Sequence, residues 1–157
     1  MCEYCGCRDI AIIGRLSEEH YGAVNALGGL HRGIESKDPD EVLKAVQALA
    51  SHLFPHNKSE EVGLFHGLCK AEYCDYFGST VEQLKREHCL MREQLGAIRK
   101  GEWAVYTELA NTLRHHIDKE ENGLFPATAV TLDGETWDEI GELTHAFDHE
   151  QGRAHEH

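Results

Sequence analysis

The residues best suited to chemistry in this 157-residue chain occur twice, in the same frame. The stretch LFPHNKSEEVGLF, residues 53–65, returns sixty positions later as LRHHIDKEENGLF, residues 113–125, with seven of the thirteen positions identical. Each copy carries a histidine and, four residues later, a glutamate. The pairs are His56 with Glu60 and His116 with Glu120. On a helix, side chains four residues apart share one face, with Cβ atoms about 5–6 Å apart.

The repeat extends to the helices that precede these segments. LSEEH, residues 16–20, and LKREH, residues 84–88, share their Leu, Glu and His. The chain is therefore predicted to contain two copies of one helical hairpin, each with a single His on its first helix and His-xxx-Glu on its second. Hairpins that face each other would bring four imidazoles and two carboxylates together. These predicted metal ligands are His20, His56, Glu60, His88, His116 and Glu120.

A metal centre follows from the cost of burying such groups. Carboxylates buried without a compensating cation are very unfavourable, so the pattern nearly requires metal if these faces point inward. Two metal ions bridged by the glutamates are the expected occupant. Imidazole and carboxylate ligands without thiolate favour iron or manganese, with zinc less expected.

Helix-start signals predict the elements that hold these ligands. Ser17, followed by two glutamates, predicts the beginning of a first helix that runs to about Glu35. Asp38 and Pro39 predict a cap and a first helical position for the second helix. Pro55 lies inside that helix and is expected to kink it.

Three further helices are predicted downstream. Ser79 with Glu82 predicts a capping box for the third helix, which ends near Gly101. The fourth is expected over residues 102–121, closed by Asn122, Gly123 and Pro126. The stretch at 136–139 predicts a short fifth helix. No segment is typical of a strand, so the fold class is all-α: an up-down-up-down four-helix bundle, a short C-terminal helix and an irregular Cys-rich N-terminus.

This organisation predicts three parts of the chain. Residues 1–14 form the Cys-rich N-terminal segment, residues 15–126 form the bundle, and residues 127–157 form the C-terminal helix and a His-rich tail. The length suits one core.

Composition excludes several classes of partner. The net charge of −13 argues against nucleic acid and against an acidic membrane surface, which both favour a basic face. No apolar run approaches the roughly eighteen residues of a membrane span. The first residues show no secretory signal, and a cytoplasmic location is expected. In that compartment the six cysteines are expected to be thiols or metal ligands rather than disulfides.

The N-terminal cysteines form a second candidate site. Cys2, Cys5 and Cys7 could hold a metal, with zinc the expected ion, could act in thiol–disulfide chemistry, or could be a tail of reduced thiols. Structural zinc normally takes four ligands. The candidates for the fourth are Cys69, Cys74, Cys89, His145 and His149.

Residues next to the predicted ligands have weaker assignments. His52, one turn before His56, is a candidate extra ligand or outer partner that orients a ligand. His115 is expected to face solvent or to be an outer partner, and Glu61 and Glu121 are expected to be salt-bridged or hydrogen-bonded. For all three, a role as an extra ligand is the alternative. Tyr21 is expected to pack in the bundle core, with entry into the site as the alternative.

The ordered set of ligands resembles the hemerythrin-like, HHE cation-binding family. HHIDKEENGLFP, residues 115–126, is similar to that family's fourth-helix signature, and the resemblance extends over residues 15–126. It implies a four-helix bundle around two iron ions, an oxo- or hydroxo-bridged non-haem di-iron centre.

The chain departs from the oxygen-carrying hemerythrins on its third helix. Those proteins have a His-xxx-His pair there, whereas Arg92 stands four residues after His88. The chain resembles the bacterial four-histidine subgroup, for which the family suggests peroxide or nitric oxide chemistry. Fewer protein ligands leave more positions for small molecules, which favours reaction over reversible oxygen carriage.

The expected function is a di-iron protein that reacts with hydrogen peroxide in a catalase-like or peroxidase-like manner, as in oxidative stress, or with nitric oxide or O₂. One alternative is a non-enzymatic sensor of O₂, NO or iron, or an iron-binding protein. Another is a zinc or thiol redox module built on the N-terminal cysteines. The sequence does not indicate which electron donor or protein partner the chain would use.

Overall fold

The computed structural model describes residues 6–152, and its five long elements are all helices. They are α1 (Ala11–Ser36), α2 (Pro39–Glu60), α3 (Cys74–Arg99), α4 (Tyr106–Lys119) and α5 (Gly134–Glu150). Each of the first four packs on the next, and α4 packs back on α1. No strand occurs within residues 6–152, and none of their helices has the length and apolarity needed to cross a membrane. The predicted all-α bundle with a C-terminal helix is confirmed.

The turn between α1 and α2 follows its local sequence. Lys37 ends α1 in the left-handed conformation, with φ of 59°. The Asp38 side chain then accepts a hydrogen bond from the Asp40 amide at 3.0 Å, and Pro39 occupies the first turn of α2. An Asp cap followed by Pro is a strong start signal because it satisfies one free amide and removes another. The predicted start of α2 is confirmed.

Two other predicted helix starts are wrong. Helix α1 begins six residues before Ser17, and α3 begins five residues before Ser79. Ser17 is buried and donates to Glu121 at 3.0 Å, so it serves the bundle interior rather than a helix end. Apolar residues upstream, among them Ile13 on α1 and Phe77 on α3, are buried. Their burial favours a longer helix over a local cap.

Both copies of the repeat leave the α-helical hydrogen-bond pattern just beyond the glutamates. A π-helical turn over Glu61–Phe65 follows α2, and another over Glu120–Leu124 follows α4. The chain then resumes as short helices, His66–Leu68 and Phe125–Thr131. Such turns are rare and concentrate at functional sites, because the extra residue re-aims the side chains around it.

The fourth helix is therefore not closed where the sequence predicted. Asn122 and Gly123 lie within the π turn, and the helical path runs on to Thr131. Pro126 stands in the first turn of the segment after the π turn, where its missing N–H costs no hydrogen bond. Pro55 likewise lies inside α2 without ending it.

Helix α5 is longer than expected and packs across α2. It begins at Gly134, where the Asp133 side chain caps it by accepting from the Thr136 amide at 2.7 Å. Its inner face buries Ile140 and Thr144 against the π turn of α2. The glycine at position 63 allows this close approach.

The core consists of two apolar clusters separated along the bundle axis. One contains Leu27, Leu49, Leu53, Met91 and Leu113. The other contains Leu16, Leu64, Phe65, Leu84, Leu124, Phe125 and Ile140. On every long helix of the bundle, the chain passes from one cluster to the other through a buried polar residue.

Gly63→Ala is expected to destabilise the protein. A Cβ at position 63 would lie 2.2 Å from Oγ1 of Thr144, a buried hydroxyl that donates to the Ile140 carbonyl at 2.7 Å. Overpacking of this kind costs about 1–3 kcal/mol. Gly123 is its counterpart in the second repeat, and a Cβ there meets nothing within 4 Å. Urea unfolding should show a loss for Gly63→Ala and little change, or a slight gain, for Gly123→Ala; equal effects would contradict this packing.

Candidate metal centre

The structure brings all six predicted ligands into one layer between the two apolar clusters. Helix α1 contributes one histidine and α3 another. One His-xxx-Glu pair lies on α2, and the other has its histidine on α4 and its glutamate at the start of the π turn that follows. All six are at least 95% buried, and both glutamates have no exposed surface. They are His20, His56, Glu60, His88, His116 and Glu120.

Each inner glutamate lies between histidines of the two hairpins. Glu60 Oε1 is 2.8 Å from Nε2 of His56, and Glu60 Oε2 is 3.3 Å from Nε2 of His88. Glu120 Oε1 is 3.0 Å from Nε2 of His116 and 3.3 Å from Nε2 of His20. Both carboxylates thus occupy positions from which they could bridge two ions.

The inner atoms fit a cation rather than a hydrogen-bond network. Both oxygens of Glu60 and of Glu120, and Nε2 of His20 and His56, are buried without a hydrogen-bond partner. Leaving so many polar atoms unsatisfied costs several kcal/mol unless a cation binds them.

The available ligand atoms form two adjacent groups. In the first group, one possible ligand atom each from His20, His56, Glu60 and Glu120 lies within 4.8 Å of the other three. The atoms of the second group lie equally close to one another. The second group contains Glu60, His88 and His116. Because Glu60 belongs to both groups, the layer has room for two neighbouring ions that share a carboxylate.

Every histidine of the layer is held from behind by an outer carboxylate. The Nδ1–carboxylate distances are 2.8 Å for His20–Glu121, 2.7 Å for His56–Glu19, 2.9 Å for His88–Glu61 and 2.7 Å for His116–Glu87. A neutral imidazole that donates from Nδ1 keeps its Nε2 lone pair for a metal. These contacts fix the tautomer and ring orientation that ligation needs.

Two of these four carboxylates were missed from sequence. Glu61 and Glu121 were considered as outer partners, but Glu19 and Glu87 were not. The signal was present, because each of them stands directly before the histidine in LSEEH and LKREH. Each holds not its neighbour but the histidine of the next helix, His56 or His116, and a single sequence cannot reveal that crossing.

Charge pairing shifts the titration of these groups strongly. Burial alone would lower the pKa of His56, but the charge of Glu60, the hydrogen bond to Glu19 and the charge of Glu120 raise it to about 10. His116 behaves alike: burial opposes the shift, yet Glu120 and Glu87 raise its pKa to about 10. Without a metal, the imidazoles therefore hold the positive charge that the buried carboxylates require.

The carboxylates shift in the opposite direction. Burial would raise the pKa of Glu19, but His56 and Arg15 lower it to about 2. Burial also opposes ionisation of Glu120, while His116 and His20 bring its pKa well below the usual range. Glu19 and Glu120 are therefore held as anions.

Two phenylalanines of the repeat complete the layer. Phe125 stacks on His20, with ring centroids 5.9 Å apart, and Phe65 stacks on His88 at 5.7 Å. Phe65 is the last residue of its π turn and Phe125 directly follows the other, and each ring packs against a histidine of another helix.

Three neighbouring candidates lie outside the layer. His52 is exposed and packs beside Gly22 of α1, so it does not replace a ligand. His115 is exposed, as expected for a residue that points away from His116. Tyr21 is 44% exposed and accepts from Arg8 at the surface, so the expectation that it packs in the core is wrong.

The second predicted site is only partly described. Cys2 and Cys5 lie outside residues 6–152, whereas Cys7 is buried in the apolar cluster nearer the N-terminus. Cys7 is disulfide-bonded, so the expectation of a thiol or metal ligand is wrong for this residue. Within residues 6–152, no group of possible metal ligands contains a cysteine or a residue of α5. The candidates for a fourth ligand are all exposed: Cys69, Cys74, Cys89, His145 and His149.

His116→Ala is expected to lower the metal bound per chain by about half or more, because His116 is the imidazole nearest Glu120. His115→Ala is the matched control, since it removes an exposed imidazole from the next position. Elemental analysis after dialysis measures the outcome. Equal metal contents in the two variants would mean that this layer is not the binding site.

Comparison with known families agrees with this geometry. No curated protein and no solved structure matches the chain. The model of the hemerythrin HHE cation binding domain matches residues 11–128, which include all six inner residues and the four outer carboxylates. This chain therefore belongs to the hemerythrin HHE cation-binding family, and its buried His/Glu layer is a candidate metal site of that family.

Proposed function

We propose that the chain binds two iron ions in this layer and reacts with hydrogen peroxide, in a catalase-like reaction in which two H₂O₂ give O₂ and two H₂O. Nitric oxide and O₂ are the other small molecules that such a centre would bind. The observation that carries the proposal is the number of inner protein ligands: four imidazoles and two shared carboxylates for two ions.

Each half of the layer has two imidazoles beside the same two glutamates. In the half nearer α3 these are His88 and His116, and α3 contributes only the first of them. The residue four positions after His88 is Arg92, which is exposed and lies over the Phe54 ring at 4.3 Å. An arginine there means that no residue of α3 supplies the second histidine of the oxygen carriers. The ion beside His88 and His116 would keep more positions for a substrate.

Iron is the metal that this ligand set and its charge favour. Six carboxylates, two inner and four outer, surround the layer: Glu60, Glu120, Glu19, Glu61, Glu87 and Glu121. So much negative charge favours two ions of charge +2 or +3. Imidazole and carboxylate without thiolate suit iron or manganese, and bound iron would supply the redox chemistry that peroxide disproportionation needs.

The protein contributes orientation and exclusion of water. The outer carboxylates hold each imidazole with Nε2 directed to the centre, so the ligands need little rearrangement when a metal binds. Phe65, Phe125 and the two apolar clusters surround the layer, which keeps bulk water away from the inner atoms. A layer this deeply buried would suit small molecules such as H₂O₂ better than larger substrates.

The iron-loaded protein should release O₂ from H₂O₂, and His56→Ala should reduce the rate more than about 100-fold, since loss of an outer partner alone commonly costs 10–100-fold. His52→Ala, one turn away and exposed, is the matched control and should keep wild-type turnover. An oxygen electrode measures the rate. Equal turnover in both variants would contradict the proposal.

Rapid-mixing spectroscopy separates catalysis from binding. Fast consumption of peroxide or nitric oxide supports a reactive centre. A stable, reversible adduct with no consumption would instead assign the chain to the non-enzymatic sensors or binders. Zinc as the only metal, lost when Cys2, Cys5 and Cys7 are replaced, would move the function to the N-terminus.

A further inference from the structure

Helix α5 contacts the outer part of the metal centre, although the family match ends at residue 128. Asp148, in its last turns, is 2% exposed, and an acidic residue this buried needs a strong partner. That partner is Arg15 of α1. Its Nη1 and Nη2 donate to the two oxygens of Asp148 at 2.6 and 3.0 Å, a bidentate pair.

The same guanidinium reaches the ligand layer through its remaining donors. Arg15 Nε donates to Glu19 Oε1 at 2.9 Å, and the other oxygen of Glu19 is 2.7 Å from Nδ1 of His56. Nη2 also lies 3.3 Å from the hydroxyl of Ser59, which is 1% exposed. An unbroken series of charge-assisted hydrogen bonds thus runs from α5 to a predicted metal ligand.

In the second hairpin, a different cation pairs with the outer carboxylate. Its equivalent of Glu19 is Glu87, which pairs with Lys119 of α4. In the repeat frame, Lys119 corresponds to Ser59, and the position of Arg15 corresponds to Gln83, an exposed residue. The cation therefore lies on the first helix of the first hairpin, as Arg15, and on the second helix of the second hairpin, as Lys119. Of these two cations, Arg15 binds a residue outside the bundle.

We infer that Asp148 and Arg15 are positioning residues for the His56 half of the metal centre. Helix α5 therefore helps to hold the site in its geometry. The guanidinium of Arg15 is a planar fork with five N–H donors, so one side chain can bind Asp148 and Glu19 together. With Asp148 fixed by burial, the fork holds the Glu19 carboxylate, and that carboxylate sets the orientation of the His56 ring. Ser59 is small enough to leave room for the Arg15 guanidinium, whereas the equivalent position in the other half is a lysine.

A second contact fixes α5 at the same place. Thr144, one turn before Asp148, packs against Gly63 in the π turn that follows Glu60. Helix α5 is therefore linked to both sides of the His56–Glu60 segment: it packs on Gly63 beyond Glu60, and it is connected to His56 through Arg15 and Glu19. No equivalent element within residues 6–152 binds Glu87 from outside the bundle.

Cobalt(II) binding to metal-free protein tests this inference, because it rests on the metal centre and not on the reaction with peroxide. Cobalt is titrated against a competing chelator while its visible absorption is recorded. Asp148→Asn should weaken one of the two binding steps about tenfold, at the low end for outer partners because it acts through Arg15, and should change the absorption of that ion alone. Asp148→Glu should restore part of the affinity.

Three variants complete the design. Arg15→Lys keeps the charge but loses the fork, and should weaken the same step even if Asp148→Asn folds poorly. Lys119→Met should weaken the other step, and its combination with Asp148→Asn should weaken both. Asp138→Asn, an exposed position on α5, should leave both steps unchanged.

The outcomes separate the two proposals. Wild-type cobalt affinity and absorption in both Asp148→Asn and Arg15→Lys would overturn the positioning role. An equal loss in both binding steps would also overturn it, since that is the effect of general destabilisation. One weakened step together with a protein that leaves peroxide unchanged would support the positioning role and reject the proposed reaction. A wild-type protein that binds no cobalt would overturn the metal centre itself.

Discussion

The burial of Glu60 and Glu120 is the constraint on which the rest of this structure depends. Neither carboxylate has exposed surface, and none of their four oxygens has a hydrogen-bond donor. Two bare anions in an apolar interior would unfold a domain of ordinary stability, so positive charge must be present in every folded state. Imidazolium supplies it in the metal-free protein, and metal ions would supply it in the loaded one. The histidines therefore serve stability and function at once.

The outer carboxylates follow from this need. An imidazole free to rotate could turn its Nε2 away and leave the inner anion unpaired, but a carboxylate on Nδ1 prevents that rotation. Each outer carboxylate is partly exposed and needs less compensation, which Arg15 and Lys119 provide at the rim of the layer. Negative charge is thus arranged around the imidazoles in two shells, and the cationic side chains lie outside both. Such a field favours multivalent ions over monovalent ones.

The repeat made the inner layer predictable, because helical spacing puts His56 with Glu60 and His116 with Glu120 whatever the helix ends do. Asp38 with Pro39 was predictable too, since a cap and a proline act locally. The starts of α1 and α3 were not, because burial of Ile13 and Phe77 outweighs a serine cap. The π turns were not predicted, because no residue type requires such a turn. Glycines such as Gly63 and Gly123 also occur in many other backbone conformations. Contacts between helices, such as Glu19 with His56, depend on how the hairpins face each other, which spacing along one chain does not encode.

Departures from the repeat carry information of a different kind. Duplication alone would give two equivalent half-sites, and the inner residues, outer carboxylates and stacked phenylalanines are equivalent in this way. The cations are not: Arg15 stands on α1 and Lys119 on α4, and only Arg15 is bound by α5. The imidazoles and carboxylates are matched between the halves, with two histidines beside the same two glutamates in each. The half braced from outside the bundle would be the better suited to holding its ion, and the half beside His88 to taking a ligand. The asymmetry of the supporting residues would thus allow the two proposed ions to have different roles in an otherwise symmetric frame.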